Sequence, residues 1–181
     1  HWAFQPIRNA PIPESRLHNP IDAFVEQNLR VHSLDFANPA NRQTIIRRLY
    51  HDLIGLKPTY EEIKKFVDDT NPKAYAKLVD QLLASPRFGE RWGRHWLDVA
   101  RYADTKGYLA GGESRAYPYA YTYRDWVIKA FNKDLPYDKF IRTQMAADFL
   151  TEQPNHPDLA ALGFLTVGPV FLNRRQLIID D

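Results

Sequence analysis

A histidine and two carboxylates, His95, Asp98 and Asp104, fall within ten residues of one another. On a helix His95 and Asp98 stand one turn apart, a spacing at which a carboxylate can fix an imidazole tautomer. His95 lies at the border of a polar arc, and Asp104 falls inside a small and apolar one, where it acts as a polar group in a packed face, caps the helix end or sits where the helix has unwound. A second pair is more anomalous. In the segment from Pro136 to Leu150 the helical period sets Tyr137, Phe140, Ile141, Gln144, Met145, Asp148 and Phe149 on one stripe, so an amide and a carboxylate occupy positions meant for apolar side chains. A buried carboxylate persists only with compensating charge or several N–H donors. Asp148 is therefore expected to be buried beside Gln144 and paired with an arginine, with Arg47, Arg101 and Arg124 as candidates, and with Asp104, His95 or Arg124 close to the cluster. Such a cluster is either an internal ion-pair network that fixes helix register or a catalytic or ligand site open to a cleft. The catalytic candidates are His95, Asp98, Asp104, Arg124, Gln144 and Asp148.

A third group belongs to binding rather than acid–base chemistry. Thr105 to Tyr121 is a stretch of about 17 residues, long for a loop in a compact domain, that holds Gly107, Gly111, Gly112 and the tyrosines Tyr108, Tyr117, Tyr119 and Tyr121. Tyrosines supply flat stacking surfaces with hydroxyl tips, which suits sugars or aromatic ligands. The structural alternative is a surface excursion whose rings pack back on the body.

These residues need helices to hold them. Asn19-Pro20 opens a helix toward Val31; Asn38-Pro39 or Asn41 opens a second that stops at Gly55; Thr59 with Glu62 is a capping box for a third, to Val67. Asn71-Pro72 opens a fourth and Ser85-Pro86 a fifth, extended to about Asp104. Two more cover Thr122 to Asn132 and Pro136 to Leu150, and Pro157 to Gly163 makes a short last one. In the fifth, Gly89, Gly93 and Ala100 form a thin strip that lets a neighbouring helix come close, while Glu90, Arg94 and Asp98 read as an i,i+4 salt ladder. Only Phe164 to Phe171 hints at strand alternation. The fold class is all-α: an irregular bundle of about seven to eight helices in a single domain over 1–181, with an extended arm at 1–18, the long Tyr/Gly-rich loop at 105–121 and an extension at 164–181.

Composition narrows the function classes. With 181 residues, 44% hydrophobic and 25% charged, the chain is long enough for a sizeable core. Net charge is +2, and no part of the sequence forms a basic arm, which argues against nucleic acid as the partner. No apolar run is long enough to span a bilayer. Zero cysteines exclude disulfides, thiolate metal sites and covalent haem attachment within these residues, and the six histidines lack metal-ligand spacing, so no metal or cofactor is expected in this chain. No Walker loop, nucleophile elbow, zincin helix or dinucleotide-binding glycine pattern occurs. The chain lacks an initiator Met and reads as a piece of something longer.

Several words of the sequence occur together in a known family. They are His1-Trp2-Ala3-Phe4-Gln5-Pro6, Ile46-Arg47-Arg48-Leu49-Tyr50 with Asp52-Leu53-Ile54-Gly55-Leu56, Leu82-Leu83-Ala84-Ser85-Pro86 with Gly89-Glu90-Arg91-Trp92, His95-Trp96-Leu97-Asp98 with Ala100-Arg101-Tyr102-Ala103-Asp104, and Tyr123-Arg124-Asp125. The chain resembles, over nearly its whole length, the planctomycete cytochrome-associated domain of unknown function. The resemblance implies the helical body of an exported multidomain c-type cytochrome-like redox protein, extracytoplasmic, with neighbouring cytochrome and C-terminal domains of the same polypeptide as partners. Haem c is implied in those neighbouring segments and not at any residue here. It transfers no catalytic residue, and leaves a carbohydrate-binding or scaffold module, with polysaccharide as ligand, as the alternative.

Overall fold

The computed structural model describes residues 2–105 and 116–168. Among them are seven α-helices, two 3-10 helices and no strand, and the class is all-α. The chain divides into two compact units, 1–41 and 42–181.

In the first unit, a 3-10 turn at Trp2–Phe4 precedes α1, Pro20–Val31. Asn19 starts α1 as the sequence predicts: its Oδ1 accepts the Ile21 N–H at 2.9 Å, and Pro20 takes the first helical position. Glu26 ties the preceding arm to the helix by accepting from Ser15 Oγ at 2.6 Å and from Arg30 at 2.7 Å. The serine hydrogen bond leads in holding its carboxyl below the usual range.

The second unit has two cores. The first lies among α2 (Arg42–Ile54), α3 (Tyr60–Asp68) and α4 (Ala74–Leu83), where Ile46, Tyr50, Phe66, Ala74, Leu78 and Leu82 are buried together. Gly55 ends α2 at φ +71°, and its N–H caps the Tyr50 and His51 carbonyls. The capping box on α3 is complete, with Thr59 and Glu62 exchanging hydrogen bonds.

The second core is built by α5 (Pro86–Val99), α6 (Ala120–Asn132), α7 (Tyr137–Leu150) and a 3-10 helix at Pro157–Leu165. Gly89 and Gly93 do bring a helix close. A Cβ at Gly89 would stand 2.4 Å from the Ile128 carbonyl oxygen, and Asn132 fastens the contact by accepting the Gly89 N–H at 2.8 Å and donating to the Pro86 carbonyl at 3.1 Å.

Several expectations need correction. Helix α5 stops at Val99 rather than near Asp104, because Arg101 adopts φ +55° and closes a Schellman motif, with Tyr102 N–H on the Leu97 carbonyl and Arg101 N–H on that of Asp98. The salt ladder is absent: Arg87 pairs with Glu90 at 2.7 Å, and Arg94 joins no ion pair among the described residues. Phe164 and Leu165 belong to the last 3-10 helix and not to a strand. Helix α7 is broken at Ala146, whose φ and ψ of −153° and 34° interrupt the helical phase. Before that point Phe140 and Gln144 are buried as expected, but Tyr137 and Met145 of the same stripe are exposed; beyond it Ala147 turns inward, and Asp148 and Phe149 face outward.

Candidate functional site

Gln144 is 1% exposed and lies at the centre of a polar knot. Its Oε1 accepts from Tyr123 Oη at 2.6 Å and from Trp96 Nε1 at 2.9 Å, while its Nε2 donates to the Phe140 carbonyl one turn back at 3.1 Å. The indole N–H also reaches the Tyr123 hydroxyl at 3.0 Å. Two donors converge on one oxygen, which fixes which way the amide faces. Three helices are thereby tied at one point, α5 through Trp96, α6 through Tyr123 and α7 through Gln144. Burial pushes the Tyr123 hydroxyl up to about 12, so at neutral pH it is a hydrogen-bond donor and not a base.

A second polar group lies beside the knot. The Tyr102 ring is 6.3 Å from that of Tyr123, and the Tyr102 hydroxyl donates a hydrogen bond to Asp104 Oδ1. Burial, and then this carboxylate, push Tyr102 up to about 12. Arg124 donates through Nε and Nη2 to Asp125 Oδ1 at 3.0 and 2.9 Å. The Asp125 hydrogen bond leads in raising its pKa, and the fields of Tyr102 and Asp104 add to it. Asp104 and Arg124 belong to this second group, which adjoins the knot through the neighbouring Tyr102 and Tyr123 rings. Asp104 sits past the end of α5, where its carbonyl accepts the Tyr117 N–H at 2.9 Å and an isolated bridge joins Thr105 to Ala116.

The remaining candidates are elsewhere. Asp148 is exposed and pairs with no arginine among the described residues; the break at Ala146 carries it off the buried face, so neither an internal ion pair nor a site is built on it. His95 is exposed with its ring tilted 5.5 Å from Trp92, and it makes no hydrogen bond with Asp98, which is also exposed. Tyr108 lies outside the described residues. Tyr117 donates to the Gly168 carbonyl at 3.0 Å and, with Tyr119, borders a groove of about 390 Å³ floored by Leu159, Ala160 and Gly163. Tyr119 is 73% exposed and Tyr121, 48% exposed, stands outside that groove.

Trp96 and Tyr123 are the members that the sequence reading missed. A buried amide must find donors, and a tryptophan and a tyrosine on facing apolar stripes are the residues able to supply them. Beside the knot is an aromatic cleft of about 370 Å³, walled by Phe88, Trp92, Trp96, Phe131, Tyr137 and Phe140. Among the described residues no three His, Cys, Asp or Glu gather as a group able to hold a metal, and no helix is long and apolar enough to cross a membrane.

Fold and site together define an all-helical module in which a buried polar knot joins three helices. The chain belongs to the PSCyt2 family, described as a protein of unknown function (DUF1549), whose model matches residues 20–178. No curated protein matches the chain, and no solved structure matches it.

Proposed function

We propose that this chain is the helical body of an exported multidomain c-type cytochrome-like protein, in which it positions haem-bearing segments of the same polypeptide for electron transfer or for oxidation of a substrate, carbohydrate being one candidate. The observation that carries this reading is the family match over residues 20–178, which includes the words from Ile46 to Asp125 that resemble the cytochrome-associated domain. The knot at Gln144 supports a positioning role, since a satisfied buried polar network locks helices in register. Haem would be held by flanking segments, as the chain has no cysteine to attach it. The test is to express the whole parent polypeptide in a host that matures c-type haem. Covalent haem retained through a denaturing gel is the expected result, and a haem-free parent overturns the reading.

One observation favours a second reading, a carbohydrate-binding module. Tyr117 and Tyr119 border an open groove, and an exposed phenol beside a shallow groove is a stacking surface for a sugar ring. Screening the chain on a glycan array should show binding that is lost in Tyr119→Ala; binding unchanged in that variant removes this surface from consideration.

A further inference from the structure

We propose that the cleft between α6 and α7 is a binding site for a compact organic polyanion, one that carries two or more carboxylate, sulfate or phosphate groups on an apolar or flat body. The cleft has a volume of about 410 Å³, within the range of roughly 300–1,000 Å³ that small-molecule sites occupy. Lys129 and Lys133 line it from α6 and Lys139 and Arg142 from α7, over a floor that includes Trp126 and Leu135.

Local structure does not account for all four cations. Lys129 and Lys133 are four residues apart on one helix, and Lys139 and Arg142 three apart on the other, so each pair repels. Lys129 and Lys133 sit at the C-terminal end of α6, where the helix dipole favours positive charge, but Lys139 sits in the first turn of α7, where it does not. None of the four side chains takes part in an ion pair or hydrogen bond among the described residues. The one carboxylate in the lining, Asp158, is already engaged: its Oδ1 accepts the Trp126 indole N–H at 2.9 Å and its Oδ2 is 3.6 Å from His156 Nδ1. A chain whose net charge is only +2 therefore gathers four cations against one carboxylate around a single concavity. Charge-assisted hydrogen bonds to a multivalent anion would satisfy them, and the apolar floor would take a carbon skeleton. Because the cations ring one hollow rather than follow a track, a compact ligand fits better than a nucleic-acid strand.

The full chain should be titrated by calorimetry at low ionic strength with trimesate, with benzoate and a single-stranded oligonucleotide as comparators. Saturable one-to-one binding of trimesate, with benzoate much weaker, is expected. Lys133→Glu with Lys139→Glu should weaken it at least about tenfold, whereas Lys64→Glu with Lys65→Glu, the same charge change on α3, should alter it less than about twofold. Equal weakening by both pairs would reduce the effect to net charge, and tighter binding of the oligonucleotide would favour a strand; either result, or no saturation, overturns the proposal. A second readout needs no variant: trimesate should slow acetylation of Lys133 and Lys139 by acetic anhydride but not of Lys64, and uniform rates at all three sites count against the cleft.

Discussion

The two cores of residues 42–168 solve the same packing problem with different materials. Around α2, α3 and α4 the interior is largely aliphatic, and the polar groups stay at its edge: the Tyr50 hydroxyl bonds to Glu62, and the Arg42 guanidinium caps the end of α3 through the Phe66 and Asp69 carbonyls while lying 4.3 Å from the Phe66 ring. Around α5, α6 and α7 the interior is aromatic and a polar amide is placed at its centre. Phe140 alone meets Trp96, Trp126 and Phe131 with ring centroids 4.9, 5.3 and 5.8 Å away. Flat rings leave few ways to align helices uniquely, and the directional bonds of Gln144 supply what shape does not. Apolar packing suffices where side chains interdigitate; where rings can slide, a buried amide fixes the register.

Substitutions can break this contrast. The largest effect is expected at Phe140: Phe140→Ala should cost about 4 kcal/mol and Leu78→Ala in the aliphatic core about 2–3 kcal/mol, measured by urea denaturation. Equal losses would mean that the ring contacts add nothing beyond burial. Next comes Gln144→Leu, which leaves the Tyr123 hydroxyl without its acceptor and should cost about 2 kcal/mol, with a changed near-ultraviolet dichroism of Trp96. A neutral result there would show that the knot does not hold register.

Alkaline pH probes both cores at once. Burial raises Tyr50, Tyr102 and Tyr123 from 10.0 to about 12, so above pH 10 the unfolded chain releases these protons first and the folded chain keeps them. Stability should fall as pH rises from about 10 to about 12, and Tyr123→Phe and Tyr50→Phe should each flatten the slope. Stability measured at a series of alkaline pH values decides this, and an unchanged slope in both variants would contradict the assigned burial. The smallest effect is Asp148→Asn, expected to change stability by less than about 0.5 kcal/mol; a loss of several kcal/mol would restore the buried ion pair that the break at Ala146 removes.

What could be read from the sequence was what local chemistry decides. Asn19, Thr59, Ser85 and Gly55 act within one turn of themselves, and each starts or stops a helix where it was expected to. Arg101 and Asp134 end helices just as Gly55 does, at φ +55° and +48°; arginine, unlike glycine or aspartate, does not mark a left-handed backbone, so the sequence does not show where α5 ends. Gln144 was found because the helical period is intact up to it. Asp148 was misplaced because the interruption falls on Ala146, and alanine is the residue least associated with breaking a helix. The four-cation cleft was invisible because its members come from two helices that meet only in the fold.

The bridge between Thr105 and Ala116, together with the Tyr117 hydrogen bond to the Asp104 carbonyl, closes the chain ahead of residues 106–115 and reopens it after them. Doubling the length of a chain segment held between two such fixed points adds only about 0.6 kcal/mol of closure entropy. In evolutionary terms the clasp is a junction at which the number of residues between its two sides can change at little entropic cost.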